Sequence, residues 1–300
     1  MSLNQKNNFY YAWACDYDSD SGEGNLARLF IKKKLKTSSI KIITIKDLFK
    51  KKFLIKFFHH KYISPFIGII YCWNIFIKGK KCAYINYLPL WNFFIYFFLP
   101  PKTIIGPITG GANFKSNVIR KYIFPILYLI SQIIIYLRFE NVYFSTSLLK
   151  NSLFFFIKKK SSFNFVLYAL NKKTNKKKKD IDFLIYFRSH PNKQKLFPYF
   201  FIKRLIILNY KVYIVGDKLN IKGVQNLGKL TNEKVNKYLS RTKFSIPSGE
   251  NLLSFFSLEC INNNVKILLD DQKMQVAKNL NKNIIKINYN SDNLKSLLKF

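Results

Sequence analysis

The chain reads as an α/β protein built from two Rossmann-like open parallel-sheet domains facing a cleft. Three observations predict this. Short apolar runs alternate with longer stretches of helical character along the 300 residues. Glycine, acidic or basic clusters fall directly after those runs, where open α/β sheets bind their ligands. One lysine-rich interruption then splits the alternation into two halves.

The first half, 1–170, opens on an apolar strand run, Phe9 to Cys15. A polar loop, Asp16 to Gly24, leads into a helix from about Asn25 to Leu35. Ile40 to Ile45 is the next strand, and Lys46 to Phe58 has helical character. Cys82 to Tyr87 and Thr103 to Ile105 are further short strands. Tyr122 to Leu137 is a long apolar helix that contains Pro125, Ser131 and Gln132. A bilayer span needs about 20 apolar residues, so this segment is short and suits burial or a membrane surface better. Leu88 to Pro101, rich in Phe and Tyr, is shorter still and suits an interface. Asn141 to Phe144 and Phe163 to Tyr168 complete the strands of this half.

Residues 171–181 are the interruption. The run Asn171-Lys-Lys-Thr-Asn-Lys-Lys-Lys-Lys179 carries like charge without apolar residues, the composition of a linker. In 182–300 the alternation resumes with strands at Asp182–Phe187, Tyr213–Gly216, Lys243–Pro247, Val265–Leu269 and Ile284–Ile287. Helices start at Thr231 and after Asn251, and a last one spans Ser291 to Lys299.

Composition limits the function classes. An apolar fraction of 49% supports a packed core. The net charge of +36 invites a nucleic-acid reading. Yet only positions 28, 120, 138, 188, 204 and 241 are arginine, the better residue for bidentate phosphate and guanine contacts. The lysines therefore read as diffuse charge from an AT-rich codon bias, and no specific nucleic-acid partner is expected. Four scattered cysteines give no CxxC zinc pattern. The Asp16-Tyr-Asp18-Ser-Asp20 loop fails as an EF-hand, because Ser21 stands where glycine is needed and Ala27 where glutamate is needed.

Several residues carry candidate chemistry. Arg188 and Lys193 follow the Asp182–Phe187 strand, and two such cations can hold a pyrophosphate and stabilise its charge as it leaves. Glu250 and Glu259 flank a helix start, and a carboxylate can accept hydrogen bonds from two adjacent sugar hydroxyls. The bland alternatives are solvated cations, a helix-dipole acid at 250 and a lysine-paired acid at 259. Gly216, Ser248 and Asn251 complete the donor-side set. Gly22 and Gly24, with Gly110 and Gly111, mark two loops where backbone amides can approach a ligand. An inverting reaction would need a base, for which the first loop offers Asp16, with Asp18 and Glu23 as alternatives.

On these residues the second half resembles the C-terminal domain of GT-B-fold glycosyltransferases of the group 1, or family 4, type. The resemblance rests on Arg188 and Lys193 after the first strand, and on Pro247-Ser-Gly-Glu250 followed by Leu258-Glu259-Cys260. Ser21 to Gly24 and Gly106-Pro-Ile-Thr-Gly110-Gly111 look like loops of the family's N-terminal domain. The two glutamates are one residue further apart than is usual there, and Cys260 stands where alanine is usual. The resemblance implies a metal-independent hexosyltransferase, with Arg188 and Lys193 on the donor diphosphate, Glu250 at the donor sugar and Glu259 on the ribose. It implies no cofactor beyond the nucleotide-sugar substrate, and the aromatic, basic first half suggests a lipid-linked or saccharide acceptor in cell-surface polysaccharide synthesis. The expected location is cytoplasmic, at the inner membrane face, with peripheral membrane association. A catalytically inactive scaffold, an inverting fucosyltransferase-like enzyme and a basic nucleic-acid-binding protein are the alternatives.

Overall fold

The computed structural model describes residues 9–35, 40–58, 63–109, 118–170, 178–190, 194, 197–247, 253–270 and 283–291. The chain divides into two compact units, Met1–Tyr168 and Ala169–Phe300.

Unit 1 is built on β1 (Tyr10–Trp13), β2 (Ile40–Ile43), β3 (Lys81–Tyr84) and β4 (Ile104–Ile105), in the order β2-β1-β3-β4. All three pairings are parallel, with Trp13 beside both Ile43 and Tyr84. Ala12, Trp13, Ala83 and Tyr84 are fully buried, as expected for strands covered on both faces. A second parallel pair, β5 (Val142–Tyr143) and β6 (Ser161–Ser162), joins through a bridge from Ile108 to Phe144.

The helices of unit 1 depart from expectation in instructive ways. α1 (Gly22–Phe30) begins three residues before Asn25, because the Ser21 hydroxyl accepts the Gly24 N–H at 3.0 Å and caps it. The stretch after β2 is two helices, α2 (Ile45–Leu48) and α3 (Lys52–Phe58), with Phe49 extended between them. α4 (Ser64–Ile77) packs on β1 and β3 and starts with Pro65 in its first turn. It is apolar on every side, so no amphipathic period announces it in the sequence. α5 (Phe93–Phe98) and α6 (Val118–Arg138) follow, then α7 (Phe155–Lys160). Phe163–Tyr168, expected as a strand, instead runs into a 3₁₀ helix, Phe165–Ala169. Asn164 takes a left-handed φ of 57°, which ends β6 and turns the chain.

Unit 2 holds a six-stranded, wholly parallel sheet. Its strands are β7 (Ile181–Phe187), β8 (Val212–Gly216), β9 (Gln225–Gly228), β10 (Thr242–Ser245), β11 (Lys266–Asp270) and β12 (Ile284–Ile287). Their spatial order is β12-β11-β10-β7-β8-β9. Counted from β7 as the first strand, this is the doubly wound order 3-2-1-4-5-6 read from one edge, so the winding reverses between β7 and β10. Phe183, Leu184 and Ile185 of β7 are fully buried. Each such side chain contributes about 1.5–3 kcal/mol relative to exposure. α8 (Tyr199–Ile207), α9 (Asn232–Leu239) and α10 (Phe255–Asn262) cover this sheet. Arg204 of α8 donates to the carbonyls of Tyr289 (2.7 Å) and Ser291 (2.6 Å), tying the last described segment to the sheet. The helix expected at Ser291–Lys299 lies, but for Ser291, outside the described residues.

Candidate functional site

The winding reversal of unit 2 places the ends of β7 and β10 side by side, and Ser245 of β10 bonds the Leu184 carbonyl of β7 at 2.7 Å. Open α/β sheets take ligands in the crevice beyond such a point. Arg188 leaves the end of β7 and is exposed.

The backbone around Arg188 is held by Asp217. The Asp217 N–H donates to the Phe187 carbonyl at 2.9 Å, and its carboxylate accepts the Ser189 N–H at 2.8 Å. Lys229 lies 3.4 Å from the same carboxylate. The Ser189 N–H chiefly, helped by Lys229 and Arg188, holds the Asp217 carboxyl below the usual range. Asp217 is thus a strut between the β7 and β8 ends, and it was not among the expected site residues. Its sequence signal is an acid directly after a strand-ending glycine.

Gly216 is that glycine. Its φ is 110°, and a Cβ there would sit 2.2 Å from the Phe187 carbonyl oxygen. Only glycine fits, because the β7 end passes directly over it. Arg188 and Gly216 therefore belong to one corner of the sheet.

Glu259 stands on α10, the helix after β10. Ser254 caps α10 by accepting the Ser257 N–H at 3.2 Å, and Phe256 packs against Tyr186 of β7 with ring centroids 5.6 Å apart. The Glu259 side chain is half-buried, and burial pushes its carboxyl up to about 7. No hydrogen bond or ion pair from a described residue reaches that carboxyl; the lysine pairing of the bland reading is absent among the described residues. Cys260 beside it is fully buried, and burial chiefly raises its thiol to about 12, so it is an inert packing thiol.

In unit 1 the loop Cys15–Ser21 joins β1 to α1. The Gly24 position is crowded: a Cβ would meet the carbonyl oxygens of Ser19 at 2.3 Å and Asp16 at 2.4 Å. Gly22 has open space around it. Both glycines lie in the first turn of α1, not in a loop, and Gly24 is needed because the loop folds back over the helix start. Arg28 clamps that fold, donating to the carbonyls of Tyr17 and Ser19 and to the Asn25 side chain. Asp20 and Asp18 each stand 3.9 Å from a cation, Arg28 and Lys46 respectively. Asp16 is half-buried, and its carbonyl accepts the Ser19 N–H at 2.9 Å.

Asp16, Gly22 and Gly24 are thus gathered in unit 1, while in unit 2 Arg188 and Gly216 stand at the neighbouring ends of β7 and β8 and Glu259 stands on the helix after β10. Lys193, Ser248, Glu250, Asn251, Gly110 and Gly111 lie outside the described residues.

No family model and no curated protein matches the sequence. Solved structures do match in fold. HepE of Anabaena, crystallised with UDP-glucose, is 8% identical with a TM-score of 0.56, over 96% of this chain and 88% of that one. The UDP-GlcNAc 2-epimerase of Methanocaldococcus jannaschii is 9% identical with a TM-score of 0.51, over 97% and 92%. The chain has a GT-B-like fold of two parallel-sheet domains.

Proposed function

We propose that the protein is a GT-B-type enzyme that binds a nucleotide-diphosphate-sugar in unit 2 and transfers its sugar to a hydroxyl acceptor. The observation that carries this reading is the half-buried carboxyl of Glu259 on the helix after β10, which has no partner among the described residues. An acid kept partly from water without a partner has a chemical use for one, and adjacent ribose hydroxyls supply two donors to it. Arg188, at the end of β7, supplies the cation for the diphosphate, with Lys193 as its expected companion. Ser248, Glu250 and Asn251 would meet the sugar in the loop between β10 and α10, with Glu250 nearest the reacting carbon. Asp16 would take the acceptor proton if the configuration is inverted. In a retaining reaction the departing diphosphate can accept it. Gly22, Gly24, Gly110 and Gly111 shape the acceptor side. The fold likeness to a protein crystallised with UDP-glucose supports this assignment of ligand class.

A second reading follows from the likeness to a UDP-GlcNAc 2-epimerase: isomerisation of the sugar while it remains on the nucleotide. The test begins with calorimetric titration of UDP and UDP-sugars. Arg188→Ala should weaken binding by about 10–100-fold, the loss of a charge-assisted contact, with an unchanged melting temperature. Incubation of the bound UDP-sugar without acceptor then separates the readings by NMR. A new sugar nucleotide means epimerisation; release of UDP only when an acceptor is added means transfer. Absence of nucleotide binding by the folded chain would refute both.

A further inference from the structure

Unit 1 presents apolar helix faces outward. On α4, Phe66, Ile70, Trp73 and Ile77 recur at helical spacing, and Ile70 and Ile77 are 69% and 77% exposed. α5 adds Phe94, Phe97 and Phe98, each about half exposed. α6 adds Ile123, Ile126, Leu129, Ile133 and Leu137 at the same spacing. The three faces are neighbours. The Trp73 indole N–H donates to the Phe98 carbonyl at 2.7 Å, and Arg138 of α6 donates to the Leu99 carbonyl after α5.

α6 is long and apolar enough to cross a membrane, as Lys121–Arg138. It nevertheless packs one side on its own unit: Tyr128, Ser131, Gln132 and Ile135 are buried, and Gln132 accepts the Phe154 N–H at 2.8 Å. A helix held along one side with its apolar side free suits the plane of an interface, not a span across it.

Cations rim this surface. Lys121 lies over the Tyr122 ring at one end of α6, and Lys160 over the Tyr136 ring near the other. At the carboxyl end of α6 a cavity of about 490 Å³ is lined by Lys102, Arg138 and Lys160, with Glu140, Leu137 and Phe139. Its three cations outnumber its one acid. The Arg138 Nε is buried and has no hydrogen-bond partner among the described residues.

We propose that the α4–α5–α6 face of unit 1 lies on an anionic phospholipid surface, with a lipid phosphate seated at the Lys102–Arg138–Lys160 cavity. The charge selects this occupant. A second copy of the chain would bring +36 against +36 and set two cationic rims together. Nucleic acid would answer the charge and leave the isoleucine and phenylalanine faces in water. An anionic bilayer satisfies both, taking the apolar side chains below its headgroups and the lysines at them. This surface stands on unit 1 alone and does not depend on the nucleotide-sugar reading.

The test is co-sedimentation of the full chain with phosphatidylcholine vesicles, with or without roughly one-third phosphatidylglycerol. The chain should pellet with the anionic vesicles and bind the neutral ones at least about tenfold less. Ile70→Glu/Phe97→Glu, at exposed positions, should reduce binding to the anionic vesicles by about tenfold or more. Lys102→Glu/Lys160→Glu should abolish the preference for anionic vesicles. If either variant fails to fold, the unaltered chain still decides: of its three tryptophans Trp73 is the exposed one on this face, so the tryptophan emission should shift to the blue on anionic vesicles and be partly quenched by lipids brominated along the acyl chain. The proposal is overturned by a chain that stays in the supernatant with an unmoved emission. Full binding by Ile70→Glu/Phe97→Glu overturns it too, because charge alone is then responsible. So does a dimer in sedimentation velocity that this variant dissociates, because a second copy then covers the face.

Discussion

The two units share an architecture and treat their outer surfaces in opposite ways. Each is an open parallel sheet whose central strands are buried on both faces. Among the described residues, unit 2 exposes only three large apolar side chains, Tyr199, Phe200 and Ile207; every other one belongs to unit 1. Unit 2 puts its irregularity at the ends of β7 and β8 instead, in a left-handed glycine and an aspartate strut, and carries on α10 a glutamate with no partner among the described residues. A fold therefore specifies where a ligand can sit, while the outer helix faces specify what the protein rests against. The two properties vary independently on the same scaffold.

The difference can be attacked from either side. The largest effect is expected from Gly216→Val, which forces a β-branched residue into φ 110° and into the Phe187 carbonyl. It should lower stability by about 3 kcal/mol or more in urea unfolding. Gly22→Ala in unit 1, where nothing stands within 4 Å, should stay within about 0.5 kcal/mol of the parent.

Next comes Glu259→Gln. The Glu259 carboxyl is raised from 4.5 to about 7, so the folded state disfavours its charged form. Below pH 4.5 both states carry the proton and no penalty exists; the penalty builds as pH rises from 4.5 to 7 and is complete above 7. The glutamine variant should therefore be more stable than the parent at pH 8, by on the order of 2 kcal/mol, and equal to it at pH 4. Nucleotide binding has the opposite trend, because the ionised carboxylate is the better acceptor. Calorimetric affinity of the parent should fall as pH drops below 7, and the variant should lose that dependence.

The smallest effect is expected from Phe200→Glu/Ile207→Glu in unit 2. It should change neither stability by more than about 0.5 kcal/mol nor vesicle binding, measured by melting and co-sedimentation. A loss of vesicle binding here equal to that of Ile70→Glu/Phe97→Glu would erase the distinction between the units.

How far the sequence foretells this molecule depends on what each residue answers to. The run Asp182–Phe187 was legible as a strand because a strand buried on both faces needs an unbroken apolar run, and Phe183–Phe187 supplies one. Arg188 stood out as a rare arginine at that strand's end. α4 was illegible because a helix apolar all round carries no period, and its spare apolar face is the same property seen from outside. Phe163–Tyr168 misled because its aromatic pattern suits a strand, while one asparagine at φ 57° decides the backbone. The glycines at 22 and 24 read as a loop because helix starts and loops share a composition; only the Ser21 cap separates them. Asp217 is marked only by the strand-ending glycine before it; its bond to the Ser189 N–H joins the ends of two strands, which that local pattern does not record.

The Arg204 fork has a consequence in time. The ribosome delivers α8 well before Tyr289 and Ser291, so the guanidinium waits with both acceptors still unmade. β12, which pairs with β11 along four residues, arrives only just before them. Unit 1 can thus complete its fold and display its apolar helices while the sheet of unit 2 still lacks an edge. The newborn chain has the apolar helix faces of unit 1 before it has the last strand of unit 2.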